Sequence, residues 1–312
     1  MCAGELDLFG PMLRSSGGLT AVQIAKEART DLRGTTVILD ALAALRVLSK
    51  SGDSYSVPEE YRDVLDANHT NSFIPMIRHA ANCLRQWGQL AWTVKTGVSA
   101  PDHASLHGPR TDWESFIQAM NSVSCLTVGP LVEKMKQAGL LSFRHVLDVG
   151  SGPGTYTIAL LSAVPEAKAT LFDLPDSLAI AKKRLTDAGL APRATFVGGD
   201  FYRDDLPGGA DFVWLSAIIH QHGREESRAL YRKIYAALGP GGRLAVRDIV
   251  MNPDRTRPVM GAFFGVNMLA NTDNGRVYTF DEIREDLESA GFTEVQFPIQ
   301  AEDMGSVVTA RK

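Results

Sequence analysis

Glycines and acidic residues in the second half of the chain are of the types that form nucleoside-binding sites. The apolar run Val146 to Val149 leads into Gly150-Ser151-Gly152-Pro153-Gly154, where glycine allows a sharp turn and close approach to a ligand. Asp173 follows roughly twenty residues later, where a carboxylate can accept both ribose hydroxyls. Asp200 can accept from an adenine amine, and Phe201 can lie along its ring.

The spacing of the loop argues against two better-known nucleotide motifs. The position of the last glycine in a dinucleotide fingerprint is Thr155 or Tyr156 here, and no Lys-Ser/Thr ending of a phosphate-binding loop is present. Taken alone, the loop is also compatible with a plain strand-to-helix turn, and each acid with a helix cap. The occurrence of all three at successive strand ends favours a nucleoside ligand.

His220 is the candidate for acid–base chemistry. It follows the apolar run Phe212 to Ile219, which places it at the same sheet edge as the loop. Histidine has an ordinary pKa near neutrality, so as a general base it can contribute on the order of a hundredfold or more in rate. A structural histidine is the alternative. His222 completes a His-x-His pair, but no third ligand is evident, so no metal is predicted.

The elements that position these residues alternate between short apolar strands and helices. This order predicts parallel βαβ units in a doubly wound sheet. The predicted strands are 146–149, 169–172, 194–197, 212–215 and 243–246, with 305–310 as a final edge strand; the predicted helices are 155–163, 178–188, 227–238 and 280–290.

The N-terminal segment has the element order of a winged helix. A helix from Leu19 to Ala28 capped by Thr20, a second from Asp31 to Lys50, and a turn at Ser51-Gly52-Asp53 are predicted. A helix that reads bases presents Arg, Lys, Asn or Gln, whereas the second helix is mostly apolar and its charges nearly cancel. Packing against a partner subunit is therefore favoured, and a ligand-sensing transcription factor is the alternative. Residues 72–140 are predicted to be connecting helices.

Composition excludes several classes of partner. The net charge is −4 over 312 residues, so neither nucleic acid nor an anionic membrane is expected to bind by charge alone. The cysteines, Cys2, Cys83 and Cys125, are far apart, which argues against disulfides and structural zinc and fits a cytoplasmic location. No signal peptide and no apolar run long enough to span a bilayer are predicted.

The ordered motifs resemble those of a known enzyme family. Asp148-Val-Gly-Ser-Gly-Pro-Gly154, Phe172-Asp-Leu-Pro175, Gly199-Asp-Phe201, Ile219-His220 and Gly239-Pro-Gly-Gly242 resemble the class I S-adenosylmethionine-dependent methyltransferases, and more narrowly the O-methyltransferases of acetylserotonin, caffeate and bacterial polyketides. The resemblance implies an α/β fold with a doubly wound, seven-stranded, mostly parallel sheet. It also implies a mainly α-helical winged-helix dimerisation domain over 1–100, a cofactor-binding domain over 101–312, and a homodimer.

The resemblance also implies roles for individual residues. His220 would be the general base and Asp248 the carboxylate that orients it. S-adenosylmethionine would be held by Gly150, Gly152, Gly154, Asp173, Leu174, Asp200, Phe201 and Ser216; the acceptor, a small hydroxylated aromatic molecule, by Phe116, Met120, Gln221, Asn267 and Met268.

The chain departs from the family pattern around the base. The acidic residue and tryptophan that commonly follow it are Gln221 and His222, and the preceding lysine is Ser216. A second orienting carboxylate is replaced by Val277 or a neighbour. A less firmly held imidazole would be a weaker base, unless the acceptor is more acidic. Methylation of carbon or nitrogen, or use of the cofactor without methyl transfer, therefore stays open.

Overall fold

The chain forms two compact units. The computed structural model describes residues 1–69, 71–101 and 104–312. The first unit is Met1–Arg85 with Asp102–Val123, and the second is Gln86–Pro101 with Ser124–Lys312. The predicted domain division at residue 100 remains a prediction.

The first unit combines short helices with a small antiparallel sheet. Thr20 caps its helix as predicted, because its hydroxyl accepts from the backbone N–H of Gln23 in a capping box. The strands lie in the order β1-β3-β2. The elements are α1 (Cys2–Glu5), α2 (Phe9–Arg14), β1 (Leu19–Thr20), α3 (Ala21–Ala28), α4 (Leu32–Ala44), β2 (Ser49–Ser51), β3 (Ser54–Ser56) and α5 (Arg62–Leu65), followed by α6 (Ile74–Trp87), which ends in the second unit.

Helix α4 is shorter than predicted. It ends at Ala44 rather than Lys50, because Ser49–Ser51 pairs with β3 as a strand. Only Thr35 and Leu39 of the helix are buried, whereas Val37 is 60% exposed and Leu45, just past its end, is 73% exposed. The chain therefore presents an apolar stripe on this helix, and the element order on which the winged-helix prediction rests is present.

The second unit contains the predicted seven-stranded sheet, in the order β11-β12-β8-β7-β4-β5-β6. All pairs are parallel except those of β12, which is antiparallel to both neighbours. The strands are β4 (His145–Val149), β5 (Lys168–Asp173), β6 (Ala194–Gly198), β7 (Ala210–Ser216), β8 (Leu238–Asp248), β11 (Thr293–Ile299) and β12 (Ser306–Arg311), with a separate small pair β9 (Val250–Met251) and β10 (Tyr278–Thr279).

The prediction that 305–310 forms an edge strand is wrong. β12 lies inside the sheet, between β8 and β11, and five of its six residues are buried. The edge strand next to β12 is β11, which the sequence pattern did not predict. β11 carries Glu294 and Pro298 and is mostly solvent-accessible, as suits an edge strand, because proline cannot donate to a sheet ladder.

Helices cover both faces of this sheet. Successive strand residues point to opposite faces, so Leu147 and Val149 enter one core while Val146 enters the other. Burial on both faces explains why β4 is a nearly continuous apolar run. The helices are α7 (Leu90–Thr96), α8 (Gly108–Gln137, which begins in the first unit), α9 (Thr155–Ala163), α10 (Pro175–Asp187), α11 (Arg224–Ala237), α12 (Val259–Asn271) and α13 (Phe280–Ser289).

By length and composition alone, one helix among the described residues is long and apolar enough to cross a membrane. This helix is α8. Core helices pass the same test, and Leu131 and Met135 of α8 are buried in one of the two sheet cores.

Candidate active site

The glycine loop joins β4 to α9 in a conformation that glycine favours. Gly150, Gly152 and Gly154 have φ of 70°, 52° and 73°, which is the left-handed region. A Cβ on Gly150 would lie 2.5 Å from Cδ1 of Ile218, and one on Gly154 2.8 Å from Cδ1 of Leu185. A Cβ on Gly152 would meet nothing within 4 Å, so the loop is packed at its ends and open at its middle.

Asp173, at the end of β5, is tied to this loop. One carboxylate oxygen accepts from the N–H of Gly152 at 2.6 Å and the other from that of Leu174 at 2.7 Å. Burial raises the pKa of Asp173. The side chain of Ser177 also donates to this carboxylate, which leaves about one of its four lone-pair sites for a ligand hydroxyl.

The next strand brings Asp200 and Phe201 to the same edge. The N–H of Gly199 donates to the carbonyl of Asp173 at 3.0 Å, which joins the ends of β5 and β6. Phe201 is near enough to the loop that Cε1 would lie 3.8 Å from a Cβ on Gly150. The structure thus brings together Gly150, Gly152, Gly154, Asp173, Leu174, Asp200 and Phe201.

His220 lies in a 3₁₀ turn, Ile219–Gln221, directly beyond β7. Its Nδ1 is 2.9 Å from both oxygens of Asp248, at the end of the neighbouring β8. His220 is 6% exposed and Asp248 2%. A carboxylate at Nδ1 leaves Nε2 as the nitrogen that can take a proton from another group.

The turn is braced on two sides. The carbonyl of His220 accepts from the N–H of Arg276 at 2.8 Å, and the N–H of Ala217 donates to the carbonyl of Arg247 at 2.9 Å. Ala217 has a φ of 58°, a conformation that costs a non-glycine residue energy and is maintained by its surroundings. The ring of Phe264, on α12, meets the imidazole of His220 edge to face at a centroid distance of 4.8 Å.

Asn267 is partly committed to structure. Its side-chain oxygen accepts from the indole N–H of Trp87 at 2.9 Å and from the amide of Asn271 at 3.1 Å. Among the described residues, no hydrogen bond occupies its own amide nitrogen, so a donor remains. Met268 is buried on the same helix.

The remaining residues predicted for the site have other contacts. Gln221 is exposed, and its amide donates to the carbonyl of Ala217. Phe116 and Met120 belong to the first unit, where Phe116 contacts His79 at a centroid distance of 5.1 Å. Val277, expected where a second carboxylate would stand, lies against α12, with Cγ2 3.3 Å from a Cβ built on Gly265.

His222 is hydrogen-bonded to a neighbouring tyrosine. Its Nε2 is 2.6 Å from the hydroxyl of Tyr202, and burial lowers its pKa to about 4. Within the described ranges, no group of three or more His, Cys, Asp or Glu side chains could hold a metal ion.

Sequence reasoning missed Trp87, Phe264 and the partners of His222. Trp87 lies in the segment predicted as connecting helices, and no helix was predicted over Val259–Asn271. The apolar run from Val259 to Ala270 was the available signal for that helix.

Comparison with known proteins decides the family. A family model described as an O-methyltransferase domain matches residues 78–293, and one described as an O-methyltransferase dimerisation domain matches residues 1–63. The chain belongs to the O-methyltransferase family. It is therefore a methyltransferase, and S-adenosylmethionine is its cofactor.

Individual O-methyltransferases and their relatives are similar over almost the whole chain. The tetracenomycin polyketide synthesis 8-O-methyl transferase of Streptomyces glaucescens is 31% identical over 94% of this chain and 87% of its own length. The L-tyrosine C(3)-methyltransferase of Streptomyces lavendulae is 27% identical over 95% and 83%. Human N-acetylserotonin methyltransferase, crystallised with S-adenosylmethionine, superposes with a TM-score of 0.80 at 26% identity, covering 100% of this chain and 92% of that one.

The residues at the sheet edge of this O-methyltransferase fit its cofactor. The open space beyond Gly152 is a cradle that any side chain there would fill. Asp173 retains acceptor capacity, and Leu174, 47% exposed, offers an apolar surface beside it. The site therefore has room, a ribose acceptor and an apolar wall in one place.

Proposed function

We propose that the protein methylates a hydroxyl of a small aromatic molecule, with His220 as the general base. The contact of His220 Nδ1 with both oxygens of Asp248 carries the proposal. It fixes the tautomer and direction of the ring and stabilises the imidazolium that forms when Nε2 takes a proton.

In the proposed reaction, residues at the sheet edge would bind the cofactor and remove the proton of the acceptor. Gly152, Asp173, Asp200 and Phe201 would hold the nucleoside, and the bound cofactor supplies an electrophilic methyl group. His220 would remove the proton of the acceptor hydroxyl at Nε2, so that the oxygen becomes the stronger nucleophile. Asp248, in contact with Nδ1, would offset the charge of the imidazolium. Burial of the pair excludes water that would compete for the proton.

An aromatic acceptor is supported by the surroundings of the base. Phe264 presents a ring beside the imidazole, and the free amide of Asn267 can donate to an acceptor oxygen. Two relatives are named for an aromatic amino acid and for a polyketide. Gln221 and Met268 stay in the proposal as further acceptor contacts, and the roles of Phe116 and Met120 remain predictions from the family resemblance.

The base assignment is tested by substituting each partner. With labelled cofactor and a panel of phenols, His220→Ala should lower turnover by about a hundredfold to ten-thousandfold, and Asp248→Asn should lower it less. Affinity for S-adenosylhomocysteine, measured by calorimetry, should stay within about twofold in both variants. Lys26→Glu, on an exposed position of α3, is the control. Full turnover by His220→Ala on any accepted substrate would show that the base is another group.

A second candidate is methylation of a carbon atom of the acceptor. Val277 leaves the imidazole with a single carboxylate among the described residues, and one relative is named for methylation of an aromatic carbon. A phenolate can react at its ring carbon or its oxygen, so the same base would serve either outcome. The chemical shift of the transferred methyl group in the product distinguishes them.

We also propose that the protein is a homodimer. The dimerisation-domain match over residues 1–63 and the exposed apolar stripe of α4 support this proposal.

A further inference from the structure

A buried guanidinium group lies at the cofactor edge of the sheet. Arg247, in β8, is 4% exposed, and its Nη1 donates to Oγ of Ser216 at 3.1 Å. Its guanidinium carbon lies 4.8 Å from the ring centroid of Tyr156, and its Nε has no hydrogen-bond partner. Throughout the part of the chain that the structure describes, Arg247 forms no ion pair. Asp248 and Asp303 stabilise this charge only by longer-range attraction, so the site is suited to an anion in direct contact with the guanidinium.

The strand register places this group beside the glycine loop. Leu215 of β7 pairs with Val149 on one side and Val246 on the other, so the next row contains Gly150, Ser216 and Arg247. Ligands of such sheets bind at this carboxyl edge. The guanidinium therefore lies two strands across from the loop, on the side away from Asp173.

Other buried donors lie near the guanidinium or in the glycine loop. Among the described residues, no hydrogen-bond partner is present for the hydroxyl of Ser151 in the loop, the hydroxyl of Tyr156, the indole N–H of Trp214 or Nε of Arg247. Tyr156 and Trp214 are neighbours, with ring centroids 5.5 Å apart. Native proteins leave few buried polar atoms unsatisfied. Four groups that can all donate indicate a ligand that only accepts, which is the property of a carboxylate.

The carboxylates of the described residues do not fill this role. Asp248 is occupied by His220, and Asp303 is exposed in the loop before β12. Arg247 also borders a cavity of about 260 Å³, shared with Lys134 of α8 and Asp303, so space for a ligand adjoins the guanidinium.

We propose that Arg247 binds the carboxylate of the amino-acid part of S-adenosylmethionine, with Ser151, Tyr156 and Trp214 as neighbouring donors. Arg247 would thus be a specificity residue for the complete cofactor over nucleosides that lack its acid group. The inference rests on S-adenosylmethionine being the cofactor and is independent of the role of His220.

The test compares two ligands that differ only in the carboxylate. Affinities of the full chain for S-adenosylhomocysteine and for its decarboxylated analogue, 5′-(3-aminopropylthio)-5′-deoxyadenosine, are measured by calorimetry. Arg247→Met should weaken the affinity for S-adenosylhomocysteine by about tenfold to a hundredfold, because the charge-assisted hydrogen bond to its carboxylate is lost. The affinity for the analogue, which has no carboxylate, should change by less than about twofold. Arg243→Met, near the start of the same strand, is the control and should change neither affinity.

A relocated cation provides a second test. Since Ser216 contacts the guanidinium directly, Ser216→Lys in the Arg247→Met background should place an ammonium in the same space and restore part of the affinity for S-adenosylhomocysteine. Without ligand, Arg247→Met should melt no lower than the parent, because it removes a buried charge lacking a counter-ion.

The outcomes separate the claims. Equal losses for both ligands, or a lower melting temperature without ligand, would make Arg247 a purely structural residue and overturn the inference. Unchanged affinity for S-adenosylhomocysteine in Arg247→Met would also overturn it. Failure of the unmodified protein to bind either ligand would instead contradict the cofactor itself, and with it the proposed function.

Discussion

Burial shifts the pKa values of two side chains near the cofactor edge so as to favour their neutral forms. Asp148, in β4, accepts from the hydroxyl of Thr157 at 2.5 Å, and burial raises its pKa to about 7. His222 faces Tyr202, and burial lowers its pKa to about 4. Because the shifts have opposite signs, they predict opposite responses of stability to pH.

Asp148→Asn should become relatively more stable as the pH rises. The folded-state pKa of Asp148 lies above the usual carboxyl value, so its stabilising contribution is complete below about pH 4 and is lost as the pH rises through about 7. Asparagine does not titrate. Between pH 5 and about pH 8, the free energy of unfolding of the variant should therefore rise relative to that of the parent by on the order of 1–3 kcal/mol. Thermal or urea unfolding at both pH values measures this. A pH-independent difference between the two proteins would contradict the assignment.

His222→Gln should protect the protein against mild acid. The folded-state pKa of His222 lies below the usual value, so its contribution is complete above about pH 6.5 and is lost as the pH falls towards 4. Glutamine can still accept from Tyr202 and does not titrate. The variant should lose less stability than the parent between about pH 7 and pH 4.5. His69→Gln, at a half-exposed position, is the control, and an identical acid response in all three proteins would refute the prediction.

At the scale of elements, the turn that holds His220 depends on a glycine in the neighbouring segment. A Cβ on Gly275 would lie 2.7 Å from the carbonyl oxygen of His220 and 2.2 Å from Oγ1 of Thr272. The first contact is with backbone, so relief requires the turn itself to move.

Gly275→Ala should therefore lower turnover by at least about tenfold, because small displacements of a catalytic group have large effects on rate. Gly129→Ala is a matched control, since a Cβ there meets nothing within 4 Å and alanine favours the helix. Steady-state rates and melting temperatures of both variants check this. Normal turnover by Gly275→Ala would show that the turn tolerates the shift.

The sequence was informative where chemistry is local to a strand end. The run 146–149, the glycines after it and His220 after β7 could be read directly, because the carboxyl ends of parallel strands share one edge. β11 was missed because its exposed residues and Pro298 weaken the apolar pattern. Trp87 could not be linked to Asn267, since they are 180 positions apart and only tertiary packing joins them.

Arg247 was missed for a related reason. It sits in an apolar strand between Val246 and Asp248, and alternation along a strand does not tell which neighbour a charged side chain meets. The register with Ser216 supplies that information.

At the scale of the whole molecule, the exposed apolar stripe of α4 predicts self-association. Val37 and Leu45 are spaced by two helical turns and are both largely exposed. Val37→Glu combined with Leu45→Glu should convert a dimer to a monomer, because burying two carboxylates in an interface is unfavourable. Sedimentation or light scattering measures the mass. A control with the same change in charge, Lys26→Glu, should remain dimeric, and a dimeric double variant would place the interface elsewhere.

The hydrogen bond between Trp87 and Asn267 gives the protein a built-in optical reporter. The chain has four tryptophans, and they differ in environment: Trp87 is bonded to the helix that borders the base, Trp214 is fully buried in the sheet, and Trp92 is 62% exposed. An acceptor that recruits the amide of Asn267 would disturb the indole of Trp87 and alter its emission. Acceptor binding could then be followed by fluorescence in unlabelled protein, including for compounds that bind without turning over.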